Sequence, residues 1–270
     1  MASGKRKLEE LAGKLDFIIE IRDARAPKVT SSPMIGELSR LKPILYVLSK
    51  SDLADEESTR LWISYFRKNK KHAWAFNLLS GRVDPVKKIL LEKKPSHREL
   101  RIAVVGIPNV GKSIFLNLLV GRKRAAVGGI PGITRGVSWY KGQGLLVVDT
   151  PGILDPKSSE MTHKCLAWLG SSKADVIGGY DLLGIDLLKF LKAKGLWHML
   201  ERKWSIPFME EDDSASLERI GRRLGCLVAG GEVNLEMAGR RLLDSFSSGS
   251  LGRVTLELPG GPYLGGDEFP

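Results

Sequence analysis

Gly106-Ile107-Pro108-Asn109-Val110-Gly111-Lys112-Ser113 decides the fold, and Ser49-Lys50-Ser51-Asp52, standing more than fifty positions ahead of it, decides its variant. The octapeptide completes the Gly-x4-Gly-Lys-Ser pattern. It lies between an apolar run at 102–105 and a helical stretch at 114–120, the strand, loop and helix context that a phosphate-binding loop requires. Glycines let backbone N–H groups turn inward around phosphates at a helix N-terminus. Lys112 then reaches the β and γ oxygens, and the Ser113 hydroxyl ligates magnesium. Asn109, Val110, Gly111 and Ile114 belong to the same cradle.

Downstream, residues 145–148 read as a buried strand ending in Asp149-Thr150-Pro151-Gly152. This Asp-x-x-Gly pattern holds magnesium through Asp149 and senses the γ-phosphate through the Gly152 N–H. Between the two motifs lies the glycine-rich loop Gly128-Gly129-Ile130-Pro131-Gly132-Ile133-Thr134-Arg135, where Thr134 is the candidate second magnesium ligand. Three motifs in register turn an ordinary loop threonine into a switch residue.

Upstream, the strand at 43–48 runs into Ser49-Lys50-Ser51-Asp52. A carboxylate at Asp52 accepts both N–H groups of guanine's edge, whereas adenine would face it with a lone pair, and the Lys50 stem can pack on the base. The usual first residue of such a box is Asn, and Ser49 is too short to replace its amide contacts fully. After the next strand, at 73–76, Asn77-Leu78 stands where a backbone N–H normally meets the guanine carbonyl, with Leu78 in place of a small residue. Ile114 replaces the second Ser or Thr that usually touches the α-phosphate. These three departures predict micromolar or weaker binding of GTP and GDP, with exchange needing no separate factor.

The order just read, with Arg22-Asp23-Ala24-Arg25-Ala26-Pro27 in front of it, resembles the circularly permuted GTPases of the YlqF/RbgA family, which assist assembly of the large ribosomal subunit. The similarity covers nearly the whole chain, including Gly225-Cys226-Leu227, Gly230-Gly231 and a strand-like run at 252–254. It implies an α/β fold, a circularly permuted P-loop GTPase domain followed by a C-terminal all-helical domain. It also implies GTP hydrolysis with Mg2+, and binding of ribosomal RNA by the helical part. Asn109 matches the P-loop position of GTPases that use K+ to complete charge neutralisation; a loop-stabilising amide is an equal reading.

Ras-type enzymes place a water-orienting glutamine just after the Asp-x-x-Gly box. Here Ile153 and Leu154 follow, and neither can hydrogen-bond water. Relatives are thought to recruit a histidine from an N-terminal Pro-Gly-His-Met stretch, and the expectation is that Met1 corresponds to the methionine of that stretch. The rival to a slow, ribosome-stimulated hydrolase is therefore a GTP-responsive RNA-binding scaffold with negligible turnover. A third reading assigns the permuted enzyme to the small subunit.

Charge is unevenly divided. Residues 1–175 hold 31 Lys and Arg against 17 Asp and Glu, a surplus of 14, while the whole chain carries +11, so the remainder is net −3. The basic runs are Lys5-Arg6-Lys7, Arg67-Lys68-Asn69-Lys70-Lys71, Lys87-Lys88, Lys93-Lys94 and Arg122-Lys123-Arg124. With a pI near 9.6 they form the footprint of a polyanion partner. No lipidation motif or long apolar span points to a membrane. Two distant cysteines, Cys165 and Cys226, fit a reduced cytoplasmic setting, the scattered histidines predict no structural metal, and a monomer is expected.

An apolar share of 43% over 270 residues fits one α/β domain plus a smaller one. Residues 13–95 alternate strands (17–21, 44–48, 73–76) with helical patterns (31–41, 56–69, 84–91), as parallel layering demands. Helices are predicted at 181–194, with Asp181 as cap and Gly195 as stop, at 215–224 and at 232–245. The domain reading is 1–175 for the permuted GTPase domain, 176–258 for a helical RNA- or ribosome-binding domain, and 259–270 for a flexible tail. Arg222, Arg223, Arg240 and Arg241 are candidate phosphate contacts and equally solubilising arginines, whereas Trp168, Trp197 and Trp204 read as core ahead of the alternative of stacking on RNA bases.

Overall fold

The computed structural model describes residues 11–121, 138–173 and 177–261 and the backbone of 125–127. The chain divides into two compact units. One runs to Pro156 and takes in Thr255–Gly261; the other covers Lys157–Val254.

The first unit is built on a seven-stranded sheet. Its strands are β1 (Phe17–Asp23), β2 (Ile44–Ser49), β3 (His72–Phe76), β4 (Leu100–Val105), β5 (Ala125–Val127), β6 (Trp139–Gly142) and β7 (Leu145–Asp149), in the order β3-β2-β1-β4-β7-β6-β5. Neighbours from β3 to β7 in that order are parallel, while β6 and β5 add an antiparallel edge. The apolar runs of β1, β2, β4 and β7 are buried almost throughout, as parallel strands covered on both faces must be. Helices α1 (Ile35–Leu41), α2 (Glu56–Lys68), α3 (Asp84–Glu92) and α4 (Lys112–Val120) accompany them. Asp55 caps α2 by accepting from the Ser58 N–H, and Trp62 and Phe66 are buried from that helix, with the Phe66 ring 4.8 Å from that of Tyr46.

Helix α1 begins at Ile35 and not at 31 because Glu20 intervenes. This carboxylate, fully buried in β1, accepts from the Ser32 N–H at 2.7 Å and the Ser31 hydroxyl at 3.2 Å, so 31 and 32 are spent on a turn. Its charge is met by Arg22 at 2.7 Å. Residues 252–254 form no strand. The next stretch instead lies against the first unit: the Leu256 N–H donates to Arg25 O at 2.7 Å, Trp62 Nε1 to Glu257 O at 2.9 Å, and the Val29 N–H to Glu257 Oε1 at 3.0 Å.

The second unit is helical among its described residues: α5 (Glu160–Trp168), α6 (Tyr180–Ala193), α7 (His198–Trp204), α8 (Asp213–Leu224) and α9 (Leu235–Ser247). Sequence patterning gave no hint of α5 or α7. Trp168, fully buried, packs on Phe190, so α5 belongs with this unit and the division falls at 156 and not at 175. Asp181 does not cap α6. Gly179 holds the cap position, and Glu236 from α9 accepts from the Tyr180 and Asp181 N–H groups at 3.0 and 3.2 Å. That arrangement depends on Gly239, where a Cβ would stand 2.1 Å from Tyr180 O. Gly195, with φ of 65°, ends α6 as read. Trp197 is buried like Trp168, and Trp204 is half-buried. Both cysteines are buried and neither forms a disulfide.

Candidate nucleotide-binding site

Five of the six motifs lie at the C-terminal ends of parallel strands, and the sixth, the loop at 128–135, is outside the described residues. Arg22-Asp23-Ala24-Arg25 closes β1, the Ser49 box closes β2, Asn77-Leu78 follows β3, the P-loop follows β4 and Asp149 ends β7. β1 and β4 are neighbours, yet the chain proceeds from β1 towards β2 and from β4 towards β7. The loops after them therefore diverge and leave the crevice in which open α/β sheets bind ligands.

The phosphate half is shaped by backbone. Gly106 has φ of 155°, and a Cβ there would sit 2.5 Å from Ile21 O, so no other residue lets β4 turn out of the sheet at this point. Asn109 adopts the left-handed region with φ of 59°. Lys112 opens α4 with its Nζ 2.6 Å from Ile107 O, and Ser113 and Ile114 are exposed on the same first turn. Burial pushes the Lys112 ammonium below its ordinary value, and the Asp149 carboxylate partly offsets this. Gly152 lies against the P-loop, where a Cβ would meet Pro108 N at 2.7 Å and Lys112 Nζ at 2.9 Å. Thr150 ties the Asp-x-x-Gly segment to β4 by donating to Val104 O at 2.8 Å. This donor set fits a nucleoside triphosphate with a magnesium ion held by Ser113 and Asp149. Thr134 lies outside the described residues.

The base half is wired by side chains. Ser49 is fully buried, its Oγ 2.6 Å from Val110 O and 2.9 Å from Arg22 O. The serine thus links the guanine box to both the P-loop and β1. Lys50, in the left-handed region at φ of 54°, sets its ammonium 3.0 Å from Asp23 Oδ2. Asp23, fully buried, also accepts from Arg25 Nε at 3.0 Å, NH2 at 2.8 Å and N at 3.0 Å. Burial pushes the Asp23 carboxyl up, but the Arg25 charge and hydrogen bonds together with Lys50 outweigh it and hold the group below its ordinary value. The Ser51 N–H bonds Phe76 O at 3.3 Å, and Asp52 is half-buried with no hydrogen bond or ion pair among the described residues. Asn77 spends its side chain on the Leu79 N–H at 2.9 Å. Leu78 is buried, its Cδ1 3.1 Å from where a Gly111 Cβ would stand, so it packs against the phosphate loop.

Ile153, partly buried, packs against the core cluster that includes Trp139 of β6 and Leu146 and Val148 of β7. The residue after the Asp-x-x-Gly box is therefore a structural apolar contact. Three residues of the site carried no role in the sequence reading: Asp23, Arg25 and Thr150. For the first two the available signal was a run of charged residues at the end of an apolar strand, which must be paired if it is buried.

A phosphate loop on β4 and a guanine box on the earlier β2, both at one sheet edge, define a circularly permuted P-loop GTPase. A family model described as "MMR_HSR1: 50S ribosome-binding GTPase" matches residues 101–199. Ribosome biogenesis GTPase A of Bacillus cereus is 33% identical over 273 residues, spanning 96% of this chain and 92% of its own length. Mitochondrial ribosome-associated GTPase 1 of Mus musculus is 31% identical, with 95% and 88% covered. The crystal structure of GNP-bound YlqF from Thermotoga maritima superposes with a TM-score of 0.68 at 28% identity, covering 95% of this chain and 98% of that one. The chain belongs to the ribosome biogenesis GTPase A (YlqF/RbgA) family and is a GTP hydrolase of that family.

Proposed function

We propose that this GTPase is a nucleotide-gated assembly factor of the large ribosomal subunit, acting in the cytoplasm as a monomer and contacting ribosomal RNA. The observation that carries the reading is the seat of Gly152 against Pro108 and Lys112. A γ-phosphate drawn to Lys112 and to the Gly152 N–H acts at the start of the segment that leads into the helical unit. Bound Mg2+ would neutralise phosphate charge. Ser113 and Asp149 would hold it, with Thr134 as the further ligand, and Asn109 is the candidate for K+. The proposed domain roles are nucleotide binding by the permuted domain and RNA contact by the helical one. There Arg241 is exposed on α9, and Arg240 lies 5.7 Å from the Tyr180 ring.

Ile153 supports a second reading. An aliphatic side chain packed against the core cannot hydrogen-bond water, so turnover without the ribosome is slow, and a scaffold with negligible turnover is the rival. Multiple-turnover hydrolysis measured with and without isolated subunits separates them. Stimulation of about tenfold or more by large subunits, with cosedimentation in a nonhydrolysable analogue, is the expected outcome. Silence under both conditions supports the scaffold, and cosedimentation with small subunits overturns the assignment.

A further inference from the structure

At the opposite end of the sheet from the nucleotide motifs, the N-terminal ends of β1, β2 and β3 and the helix ends beside them enclose a cleft of about 430 Å³. That volume lies within the range of ligand-sized clefts, about 300–1,000 Å³. Its floor is apolar, with Pro43, Ile44 and Ile89 contributing. Four lysines line it from three separate elements: Lys42 caps α1, Lys70 and Lys71 follow α2, and Lys93 caps α3. Among the described residues none of the four forms an ion pair. The acidic group that Lys42 senses, Asp16, is already held in a fork by Arg98 at 2.7 and 2.8 Å. Lys70 is kept in the left-handed region, with φ of 56°, by the turn that ends α2.

Lysines at helix C-termini complement the helix dipole, an effect of about 0.3–1 kcal/mol each. The dipole accounts for one lysine per helix end. It leaves unexplained the doubled pair after α2, the convergence of all four on one concavity and the missing carboxylates. Uncompensated cations over an apolar floor concentrate positive potential, and the complementary ligand is a chain of phosphates.

We propose that this cleft is an RNA site on the GTPase unit, binding a phosphodiester segment of ribosomal RNA at the sheet end remote from GTP. The four lysines contact phosphates and the sugars lie over Pro43 and Ile89. The inference rests on the reading of ribosomal RNA as partner, and adds a second contact to the one assigned to the helical unit. Strands β1 and β2 run from this cleft to Asp23 and Ser49, so nucleotide and RNA can be held at once.

The test is salt-dependent binding of a large-subunit rRNA transcript to the full chain. The variant is Lys42→Ala/Lys70→Ala/Lys71→Ala/Lys93→Ala. The control removes equal charge nearby, as Arg67→Ala/Lys68→Ala/Lys87→Ala/Lys88→Ala. The cleft variant should flatten the log–log salt slope by about 3, at roughly 0.7 per phosphate contact on single-stranded RNA, and bind at least tenfold more weakly than the control. Unstimulated GTP hydrolysis should not change, and lysine-to-arginine replacements should keep binding. Equal slopes in variant and control, with only a lowered melting temperature, would reduce these lysines to helix-end partners and overturn the proposal. Loss of binding to phosphatidylserine vesicles with RNA binding intact would overturn it in favour of a membrane. If the unaltered chain fails to bind the transcript, the RNA reading under the proposed function falls as well; if it binds and the cleft variant matches the control, only the cleft proposal falls.

Discussion

At the C-terminal ends of β1 and β2, Arg25 and Lys50 meet the buried Asp23 at 2.8 and 3.0 Å. At the N-terminal ends of the same strands, four lysines line a cleft without an ion pair among the described residues. Two cations of the nucleotide edge, Arg25 and Lys50, are wired into the fold through the one buried carboxylate of Asp23. The cations of the far edge form no ion pair among the described residues: Lys71 lies over the Tyr46 ring at 5.4 Å, Lys42 senses an Asp16 already held by Arg98, and all four line the cleft. A chain with net charge of +11 has thus sorted its charge by role. The paired cations shape the nucleotide site, and the unpaired ones are those we propose meet a polyanion.

The largest expected effect lies on the nucleotide edge. Lys112→Ala removes the charge that Asp149 faces across the P-loop, and single-turnover GTP hydrolysis should fall by about 100–1,000-fold, the loss typical of a preorganised charge-stabilising group. Next comes the pairing itself. Asp23→Asn leaves Arg25 and Lys50 without their shared carboxylate and should lower unfolding free energy by about 3–5 kcal/mol in urea denaturation. The folded Asp23 titrates below its ordinary value of 3.8. Its stabilisation is therefore complete above the unfolded value and is lost as pH falls through the folded one. The wild type should steepen in acid denaturation below that point, and the Asn variant should not.

Glu257 has the opposite sign. Burial pushes it above its ordinary value of 4.5, against the Val29 and Lys28 N–H groups and the charges of Lys28 and Arg22, and its Oε2 is buried without a hydrogen-bond partner. The folded protein binds this proton more tightly, so stability is gained as pH falls through the folded value and is reduced above it. Glu257→Gln keeps an acceptor for both N–H groups and should lie within about 1 kcal/mol of wild type at neutral pH, without that pH dependence. Glu257→Ala strands the buried Val29 N–H and the partly buried Lys28 N–H and should cost about 2 kcal/mol by thermal or urea unfolding. A similarly small effect belongs to Ser49→Ala, which removes the hydroxyl that serves Val110 O and Arg22 O. About 1 kcal/mol of stability and a few-fold loss of GTP affinity by calorimetry are expected.

Phosphate chemistry was legible in the sequence because fixed spacing encodes it: Gly106 to Ser113 and Asp149 to Gly152 need only a strand in front and a helix behind. The guanine box was legible as a position but not as a mechanism. Ser49 looks too short for its task until β1 and the P-loop are brought within 2.9 and 2.6 Å of its hydroxyl, which only tertiary structure does. Contacts that join distant segments left no pattern at all. Glu236 caps α6 from α9, and Glu257 binds the loop after Arg25 from the far end of the chain. Helix α5 went unread because its apolar residues face a neighbour whose existence the local pattern does not announce.

The central claim is that a guanine box placed before the P-loop in the chain reads the base at the same sheet edge. Asp52→Asn tests it through nucleotide competition. A carboxylate accepts from guanine's two N–H groups, whereas an amide can donate to the carbonyl that xanthine carries in place of the exocyclic amine. Wild type should prefer GTP over XTP and ATP, and the Asn variant should prefer XTP, with GTP affinity down by about tenfold or more. Unchanged GTP affinity and no gain for XTP in the Asn variant would contradict the account.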